Sequence, residues 1–320
     1  MSLQDKSLTH SKKHQESPLA KETILITGAS GFIGSHLVKT CLQAGYYVIL
    51  VSRTPEKLSI PTARNCKKIS WDPKELARAM ESVDVVIHLA GESVAGRRWS
   101  PEVKKAIRSS RVETTRALVE AMRQAESKPR LMISASAVGI YGNQGADLLT
   151  EKAPHGDDFL AEVCKAWEDE ALKAEDFGVE VAIPRIGIVL GKGQGVLQKM
   201  VPPFQWFLGG PVGDASIYLP WIHVEDVVRA LLHPLDHLTL RGPYNVCAPE
   251  PVTMQEFACA LGWVLRRPSW FPVPPTLLKL LFGEAAQPIL SSMRAVPNAL
   301  HSSSFEFAYS DVHTALADLL

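Results

Sequence analysis

The chain lacks an excess of charge of either sign, because its 34 lysines and arginines balance 34 aspartates and glutamates over 320 residues. A net charge of zero gives no overall field that would attract a nucleic acid or an anionic membrane. The sequence also lacks any apolar run of the roughly 18 residues that a membrane-spanning helix requires. We therefore expect neither a nucleic acid nor a membrane among its partners.

Cysteine is scarce and shows no paired pattern. The chain has five cysteines and no Cys-x-x-Cys spacing. This argues against a disulfide framework and against a zinc site, so we expect no bound metal and a reducing, cytoplasmic location. Residues 1–21 are polar and hold no apolar segment, which predicts a disordered tail and not a secretory signal.

What the chain does contain is a regular alternation of apolar, strand-like segments and helical patterns. Strands are predicted near residues 46–51, 83–89, 130–134 and 179–183, and helices near 103–122 and 158–174. This βαβαβ order is typical of the α/β class. It predicts a doubly wound parallel sheet, the Rossmann arrangement, with helices on both faces.

Beyond Leu190 the pattern changes, because repeated prolines break the chain into short segments. We interpret this part as loops and short helices, including one near 277–282, that form a smaller cap over the sheet. The predicted organisation is a tail at 1–21, a sheet domain at 22–235 that includes the start of the cap from about residue 191, and a C-terminal substrate or cap region at 236–320. The sequence leaves a homodimer open.

A glycine-rich turn follows the first apolar segment, with the spacing Gly-x-x-Gly-x-x-Gly. Gly28 permits a sharp turn, Gly31 leaves room for a pyrophosphate against the backbone, and Gly34 lets the next helix pack closely on the sheet. The helix N-terminus then offers N–H groups to the phosphates. An ordinary strand–helix turn rich in glycine is the alternative. The predicted dinucleotide contacts in this turn are Gly28, Ser30, Gly31, Phe32, Ile33 and Gly34.

The residues after the second predicted strand indicate which dinucleotide is bound. A site for NAD usually carries an acidic residue here to bind the ribose 2′-hydroxyl, but this strand is followed by Ser52 and Arg53. Arg53 could hold a 2′-phosphate through charge-assisted hydrogen bonds, and Ser52 could add a hydroxyl. The pattern predicts NADP, with a solvated loop arginine as the alternative.

Six further motifs follow the glycine turn in order. They are 88–92 (His-Leu-Ala-Gly-Glu), 97–99 (Arg-Arg-Trp), 110–115 (Ser-Arg-Val-Glu-Thr-Thr), 134–139 (Ser-Ala-Ser-Ala-Val-Gly), 184–191 (Pro-Arg-Ile-Gly-Ile-Val-Leu-Gly) and 220–226 (Pro-Trp-Ile-His-Val-Glu-Asp). With 27–34 (Thr-Gly-Ala-Ser-Gly-Phe-Ile-Gly), they make the chain resemble the extended short-chain dehydrogenase/reductase superfamily, from about residue 22 to the C-terminus. Within it, the chain resembles the "epimerase family" branch of NADP-dependent oxidoreductases. Some bacterial members of this branch have been labelled cell-division inhibitors.

The resemblance implies further cofactor contacts. It places the turn Leu89-Ala90-Gly91-Glu92 against the adenine ribose and pyrophosphate side of NADP, where small residues leave room. It also implies a cofactor contact for Arg111 on the long predicted helix, with an exposed helix arginine as the alternative. The substrate that it implies is a small molecule in the cleft under the cap.

The same resemblance raises a catalytic question. The superfamily's chemistry normally needs a serine, a tyrosine and a lysine four residues after the tyrosine. None of the six tyrosines in this chain is followed by such a lysine. The expected helix carries Lys165, but Ala161 stands where the tyrosine should be. Lys165 could still hold the nicotinamide ribose, with a solvated helix lysine as the alternative.

Two other polar residues are catalytic candidates. Ser136, with Ser134 as an alternative, follows a predicted strand and could polarise a carbonyl. Tyr141 could reach the substrate from the next loop as a replacement proton donor, or it could simply pack. The sequence thus predicts that Ser136, Tyr141 and Lys165 serve an atypical NADP-dependent oxidoreductase or epimerase-like enzyme. A non-catalytic NADP-binding scaffold or regulator is the alternative, and the missing Tyr-x-x-x-Lys disfavours a nucleotide-sugar epimerase.

Overall fold

The computed structural model describes residues 21–60 and 64–320, so the predicted tail at 1–21 lies outside the described residues except for its last position. The strands, in chain order, are β1 (Thr23–Thr27), β2 (Tyr47–Val51), β3 (Cys66–Ile69), β4 (Val85–His88), β5 (Leu131–Ser134), β6 (Ser136–Ala137), β7 (Leu148–Leu149), β8 (Glu180–Ile186), β9 (Ile188–Gly191), β10 (Gln194–Gly195), β11 (Tyr218–Leu219), β12 (Trp221–His223), β13 (Gly242–Val246), β14 (Val252–Thr253) and β15 (Arg294–Ala295). The α-helices are α1 (Phe32–Gln43), α2 (Pro73–Met80), α3 (Pro101–Gln124), α4 (Phe159–Leu172), α5 (Leu197–Gln205), α6 (Val224–Asp236), α7 (Met254–Leu265), α8 (Pro275–Phe282), α9 (Gln287–Leu290), α10 (Asn298–Ser302) and α11 (Val312–Leu319).

Eight strands form one central sheet in which every pairing is parallel. Its order is β3-β2-β1-β4-β5-β8-β13, and β6 continues from β5 to pair with β8. The order of strands reverses between β1 and β4, which is where a crevice opens at the carboxyl ends of a doubly wound sheet. The Rossmann arrangement predicted from the sequence is confirmed.

Side-chain alternation along β1 explains why both faces of the sheet are covered. Ile24 and Ile26 pack with residues of α1 and α6 on one face, whereas Leu25 packs with residues of α2, α3 and α4 on the other. All three side chains are fully buried. Burying each of them contributes about 1.5–3 kcal/mol relative to exposure. Burial on both faces is the reason that the strands are nearly continuous apolar runs.

The elements predicted from periodicity are present, with small shifts at their ends. The strands predicted near 46–51, 83–89, 130–134 and 179–183 correspond to β2, β4, β5 and β8, and the two predicted helices to α3 and α4. Asp158 caps α4, because its carboxylate accepts the Ala161 N–H at 2.9 Å. The sequence pattern does not predict β3, α2, α6 or β13, which are short or interrupted by polar residues.

The predicted boundary at 235–236 cuts through the central sheet. β13 lies beyond it and pairs along its whole length with β8, so the sheet continues to Val246. The cap has its own core, which joins α5, α7 and α11 around Phe204, Phe257 and Leu316. Chain segments from both sides of β13 therefore build the cap.

No helix among residues 21–60 and 64–320 is both long enough and apolar enough to cross a membrane. Within these same residues, histidine, cysteine, aspartate and glutamate side chains do not form any group of three or more that could hold a metal ion. All five cysteines are free.

The carboxylate of Asp226 fastens the segment before α11 to the sheet domain. It lies fully buried in α6 and accepts the N–H groups of Ala308 and Tyr309 at 2.8 and 2.9 Å. Arg229 donates to one of its oxygens at 3.2 Å. The folded position of the C-terminal segment thus depends on an acceptor with two oxygens at this point.

We expect Asp226→Asn to lower the free energy of unfolding by about 1–3 kcal/mol, because the amide nitrogen would face a backbone donor without a partner. Urea denaturation followed by circular dichroism measures this loss. Glu225→Gln, at the exposed neighbouring position, is the matched control and should change stability by less than about 0.5 kcal/mol. Equal effects of the two substitutions would contradict this role of Asp226.

Candidate functional site

The site begins at the glycine turn between β1 and α1. Gly28 has a φ of +72°, and a Cβ there would lie 2.7 Å from the carbonyl group of Leu89. A Cβ on Gly34 would lie 2.1 Å from the Gly28 oxygen. Both positions exclude a side chain for reasons internal to the protein. Gly31 is different, because a Cβ there would lie 3.2 Å from that oxygen and the residue is exposed, so its outer side is open.

Helix α1 starts without a side-chain cap. Its N-cap residue is Gly31, so no side chain accepts the N–H groups of its first turn. This leaves the N–H groups of Phe32 and Ile33 available to an anion at the positive end of the helix dipole. Each of the other long helices packed on the sheet has a side-chain cap, namely Asp72 for α2, Ser100 for α3, Asp158 for α4 and His223 for α6.

A buried hydrogen-bond cluster holds the turn after β4 against the end of β1. Thr27 Oγ1 accepts the N–H groups of Leu89 and Ala90, each at 3.1 Å, and lies 2.7 Å from His88 Nδ1. Since both N–H groups donate to it, the hydroxyl gives its single proton to Nδ1. Burial, with a smaller effect from Arg111, lowers the pKa of His88 to about 3, so the imidazole is neutral.

A cavity of about 630 Å³ opens above the ends of β1, β2 and β4. Ser52 and Arg53 line it just beyond β2, and Arg53 is exposed at its rim. Trp71 and Thr114 also line it, and neither is predicted from the sequence as a contact. The predicted contacts found in this cavity are Gly28, Ser30, Gly31, Ser52, Arg53, Leu89, Ala90, Gly91 and Glu92.

A second cavity of about 410 Å³ adjoins the first and shares Gly28, Gly31 and Leu89 with it. It continues along the carboxyl edge of the sheet toward β6 and α4. The remaining predicted contacts line this second cavity, namely Phe32, Ile33, Gly34, Arg111 and Ser136. The two cavities thus bring together all the predicted cofactor contacts except Lys165, and they also contain Ser136.

Arg111 lies in the wall of the second cavity, close to the turn that lines the first. Its guanidinium donates to the backbone oxygens of Glu92 and Ile107, each at 3.0 Å, and lies 5.2 Å over the ring of Trp167. A Cβ on Gly91 would lie 3.1 Å from the Arg111 guanidinium carbon, so glycine permits this approach. Arg111 is therefore part of the cavity wall and not an exposed helix arginine, and its contact with the cofactor stays a prediction.

At the far end of the second cavity, a buried ion pair orients Ser136. Its hydroxyl donates to Glu168 Oε1 at 2.6 Å, and Arg185 donates to both Glu168 oxygens at 2.9 Å. Ser136 and Arg185 also lie opposite each other where β6 pairs with β8. Because its proton is given to Glu168, Ser136 presents acceptor lone pairs to the cavity. This corrects the expectation that its hydroxyl polarises a carbonyl.

Tyr141 does not line either cavity. It is fully buried, and its hydroxyl donates to Asn245 Oδ1 at 2.7 Å and accepts from Arg185 at 3.0 Å. Burial raises the pKa of Tyr141 to about 12, which makes proton release harder. The structure therefore does not support Tyr141 as the replacement proton donor, because its hydroxyl completes the polar network around Arg185.

Helix α4 turns a different pair of residues toward the cavity than the sequence predicts. Lys165 lies on the outer face, where its side chain is 58% exposed and pairs with Asp169 at 2.6 Å. Leu160 and Cys164, one helical turn apart, line the cavity instead. Burial raises the pKa of the Cys164 thiol to about 11, so it stays protonated. Lys165 is thus not placed to hold a nicotinamide ribose.

The buried pair of Arg185 and Glu168 is not predicted above, although the sequence carries a signal for it. Arg185 follows the apolar residues 181–184 within β8, and a charge at such a buried position needs a partner, which is Glu168. The inward position of Cys164 also has a signal, because it belongs to an apolar stripe along α4 with Leu160, Val163, Trp167 and Ala171.

The neutral state of His88 makes stability depend on pH. Its folded-state pKa of about 3 lies below the ordinary value of 6.5, so the unfolded chain binds more protons between these two values. The contribution of neutral His88 to the free energy of unfolding is therefore fully present above about pH 6.5. It is lost as the pH falls toward 3, at up to about 1.4 kcal/mol per pH unit.

We expect His88→Asn, which keeps an acceptor toward Thr27, to flatten this slope in urea denaturation measured across the acidic range. His301→Asn, at an exposed position, should leave the slope of the unsubstituted protein unchanged. A slope that His88→Asn does not alter would show that other groups cause the acid sensitivity.

Comparison with known proteins identifies two matched regions. Residues 24–247 match the NAD dependent epimerase/dehydratase family, and residues 273–319 match DUF1731, a domain of unknown function. The epimerase family protein SDR39U1 homolog, chloroplastic, of Arabidopsis thaliana is 38% identical over 302 residues, which cover 93% of this chain and 86% of that protein. The epimerase family protein YfhF of Bacillus subtilis is 35% identical over 300 residues, which cover 93% and 97%.

A solved structure shows the same likeness in three dimensions. The crystal structure of human epimerase family protein SDR39U1, isoform 2, with NADPH has a TM-score of 0.84 to this chain at 31% identity. The match covers 93% of this chain and 98% of the human chain. The resemblance based on the seven motifs is thereby confirmed. The chain belongs to the NAD-dependent epimerase/dehydratase family, within the extended short-chain dehydrogenases/reductases, and carries a C-terminal DUF1731 domain.

Proposed function

We propose that this protein binds NADP(H) along the two adjoining cavities and acts on a small molecule as an atypical oxidoreductase or epimerase-like enzyme. The observation that carries the proposal is the convergence of the predicted cofactor contacts other than Lys165 on these cavities, with Ser136 at one end and Arg53 at the other. The human relative crystallised with NADPH supports the choice of cofactor.

The residues of the first cavity fit a dinucleotide phosphate. The open outer side of Gly31 and the uncapped start of α1 would receive the pyrophosphate. No acidic residue follows β2 to bind a ribose 2′-hydroxyl, and Arg53 forms no ion pair with any residue among 21–60 and 64–320. Its guanidinium would therefore hold the 2′-phosphate of NADP, with Ser52 beside it.

We expect Arg53→Ala to raise the Kd of NADPH by at least about tenfold, because a charge-assisted hydrogen bond to phosphate would be lost. The Kd of NADH should stay the same, since NADH has no 2′-phosphate. Fluorescence titration measures both values, and Arg78→Ala, at an exposed site on α2, is the control. Equal weakening of NADPH and NADH binding would refute the role of Arg53.

The second cavity suits hydride chemistry on a hydroxyl-bearing substrate. When bound, the cofactor donates or accepts a hydride at its nicotinamide. Ser136, turned by Glu168, would accept a hydrogen bond from a substrate hydroxyl or N–H and so orient it. Leu160 and Trp167 would exclude water from this end.

We expect Ser136→Ala to lower kcat/KM roughly 100-fold for any substrate that the protein turns over, because the group that orients the reacting hydroxyl would be lost. A panel of alcohols, ketones, aldehydes and sugars, followed by NADPH absorbance, provides the assay. Lys165→Ala removes only an exposed ion pair and should leave kcat/KM within about twofold. The reverse outcome would restore Lys165 as the catalytic residue.

A second function, a non-catalytic NADP(H)-binding scaffold or regulator, is favoured by one observation. Helix α4 turns Leu160 and Cys164 toward the cavity, and neither side chain can replace the tyrosine and lysine of the usual chemistry. The division-related label of some bacterial relatives would fit this alternative. NADPH binding without turnover of any compound in the panel would support it.

Five free thiols fit a reducing compartment for either function, and we propose a cytoplasmic location on that ground.

A further inference from the structure

Six large apolar side chains are exposed on one part of the cap. Their exposed fractions run from 51% to 79%. Monomeric soluble proteins rarely leave so many neighbouring aromatic groups in water, and such clusters mark interaction sites. We call this surface the cap patch, and its apolar members are Trp206, Phe207, Leu208, Trp263, Trp270 and Phe271.

The cap patch is one surface, although three chain segments contribute to it. The loop after α5 and the loop before α8 are joined where the Phe271 N–H donates to the Gly209 oxygen at 3.0 Å. The guanidinium of Arg267 lies 4.6 Å over the ring of Phe207 and so connects the end of α7 to the first loop. An open groove of about 810 Å³ runs between Trp263 and Trp270.

The cap patch is also basic. Residues 192–213 and 257–283 contain no aspartate or glutamate, although the whole chain has a net charge of zero. Within the described residues, Arg266 and Arg267 are the only charged side chains that line the groove. A net charge of zero over the whole chain is compatible with this local excess of positive charge. The cations of the two segments are Lys192, Lys199, Arg266, Arg267 and Lys279.

The exposed ring of Phe207 is held by a strained backbone conformation. Phe207 has a φ of +60°, in the left-handed region that bulky residues rarely adopt. The Phe207 N–H donates to the Phe204 oxygen at 2.9 Å, and Phe204 is anchored in the cap core. A buried ring at 204 thus supports an exposed one three residues later.

We propose that the cap patch docks on an anionic lipid surface. The tryptophan, phenylalanine and leucine side chains enter the interface, and Arg266 and Arg267 face the lipid phosphates. Tryptophan suits this place, because its ring is apolar and its N–H is polar. A twofold dimer through the same patch would bring two basic surfaces together without acidic residues between 257 and 283 to pair with them, so charge favours the lipid over a second copy. This surface lies outside the two cavities, and the proposal does not depend on turnover.

Vesicle co-sedimentation of the full chain with NADPH tests the proposal. We expect sedimentation with vesicles of equimolar phosphatidylcholine and phosphatidylglycerol, little with phosphatidylcholine alone, and weakening by added salt. Arg266→Glu with Arg267→Glu should lower partitioning by more than about fivefold, which corresponds to the loss of even one basic contact. Trp206→Ser with Trp270→Ser should lower it as strongly, because charge alone gives weak binding.

Two matched substitutions control for nonspecific effects. Leu238→Ser removes a leucine that is 67% exposed outside the cap patch, and Lys39→Glu reverses an exposed charge on α1. Both should sediment as the unsubstituted protein does. NADPH binding by the cap-patch variants shows that they are folded. The proposal is overturned if anionic vesicles bind no protein, if the cap-patch variants bind as well as the controls, or if analytical ultracentrifugation shows a dimer that Trp206→Ser with Trp270→Ser dissociates.

Discussion

The hydroxyl of Thr27 is the contact on which the cofactor half of this protein depends. It lies where β1 and β4 diverge, and it joins the two strand ends by accepting two N–H groups and donating to His88. The sheet must open at this point to form a crevice, yet buried backbone groups must keep partners. A single hydroxyl meets both demands, because it satisfies the turn after β4 without filling the crevice.

The nicotinamide end is organised by a second buried polar group, the pair of Glu168 and Arg185. These residues direct the Ser136 hydroxyl proton away from the cavity and hold the Tyr141 hydroxyl in the protein interior. A buried ion pair of this kind adds little net stability, since desolvation offsets much of the attraction. The ion pair instead fixes the orientation of the Ser136 and Tyr141 hydroxyl groups. It makes Ser136 an acceptor, where a carbonyl-polarising serine would need to be a donor.

The cap differs from the sheet domain in how its charge is distributed. The sheet domain carries acids and bases side by side, as in the paired Arg97 and Glu92 or Arg116 and Glu170. The cap segments at 192–213 and 257–283 carry only bases, beside exposed aromatic rings. The surface of the sheet domain thus has mixed charge, whereas that of the cap is basic and partly apolar. The sheet domain is suited to remain in water, whereas the cap patch combines the features of an interfacial surface.

The sequence by itself determined the sheet and the glycine turn, because both depend on local rules. Apolar strands such as β2 and β4 predict a buried parallel sheet, and Gly28 and Gly34 indicate a turn that tolerates no side chain. The apolar stripe of α4 packs toward the sheet as its sequence indicates, so Cys164 lies inward and Lys165 is exposed. Only the tertiary structure decided which polar groups meet at the far end of the second cavity. Contacts between residues far apart in the chain, such as Ser136 with Glu168, leave no local pattern to read.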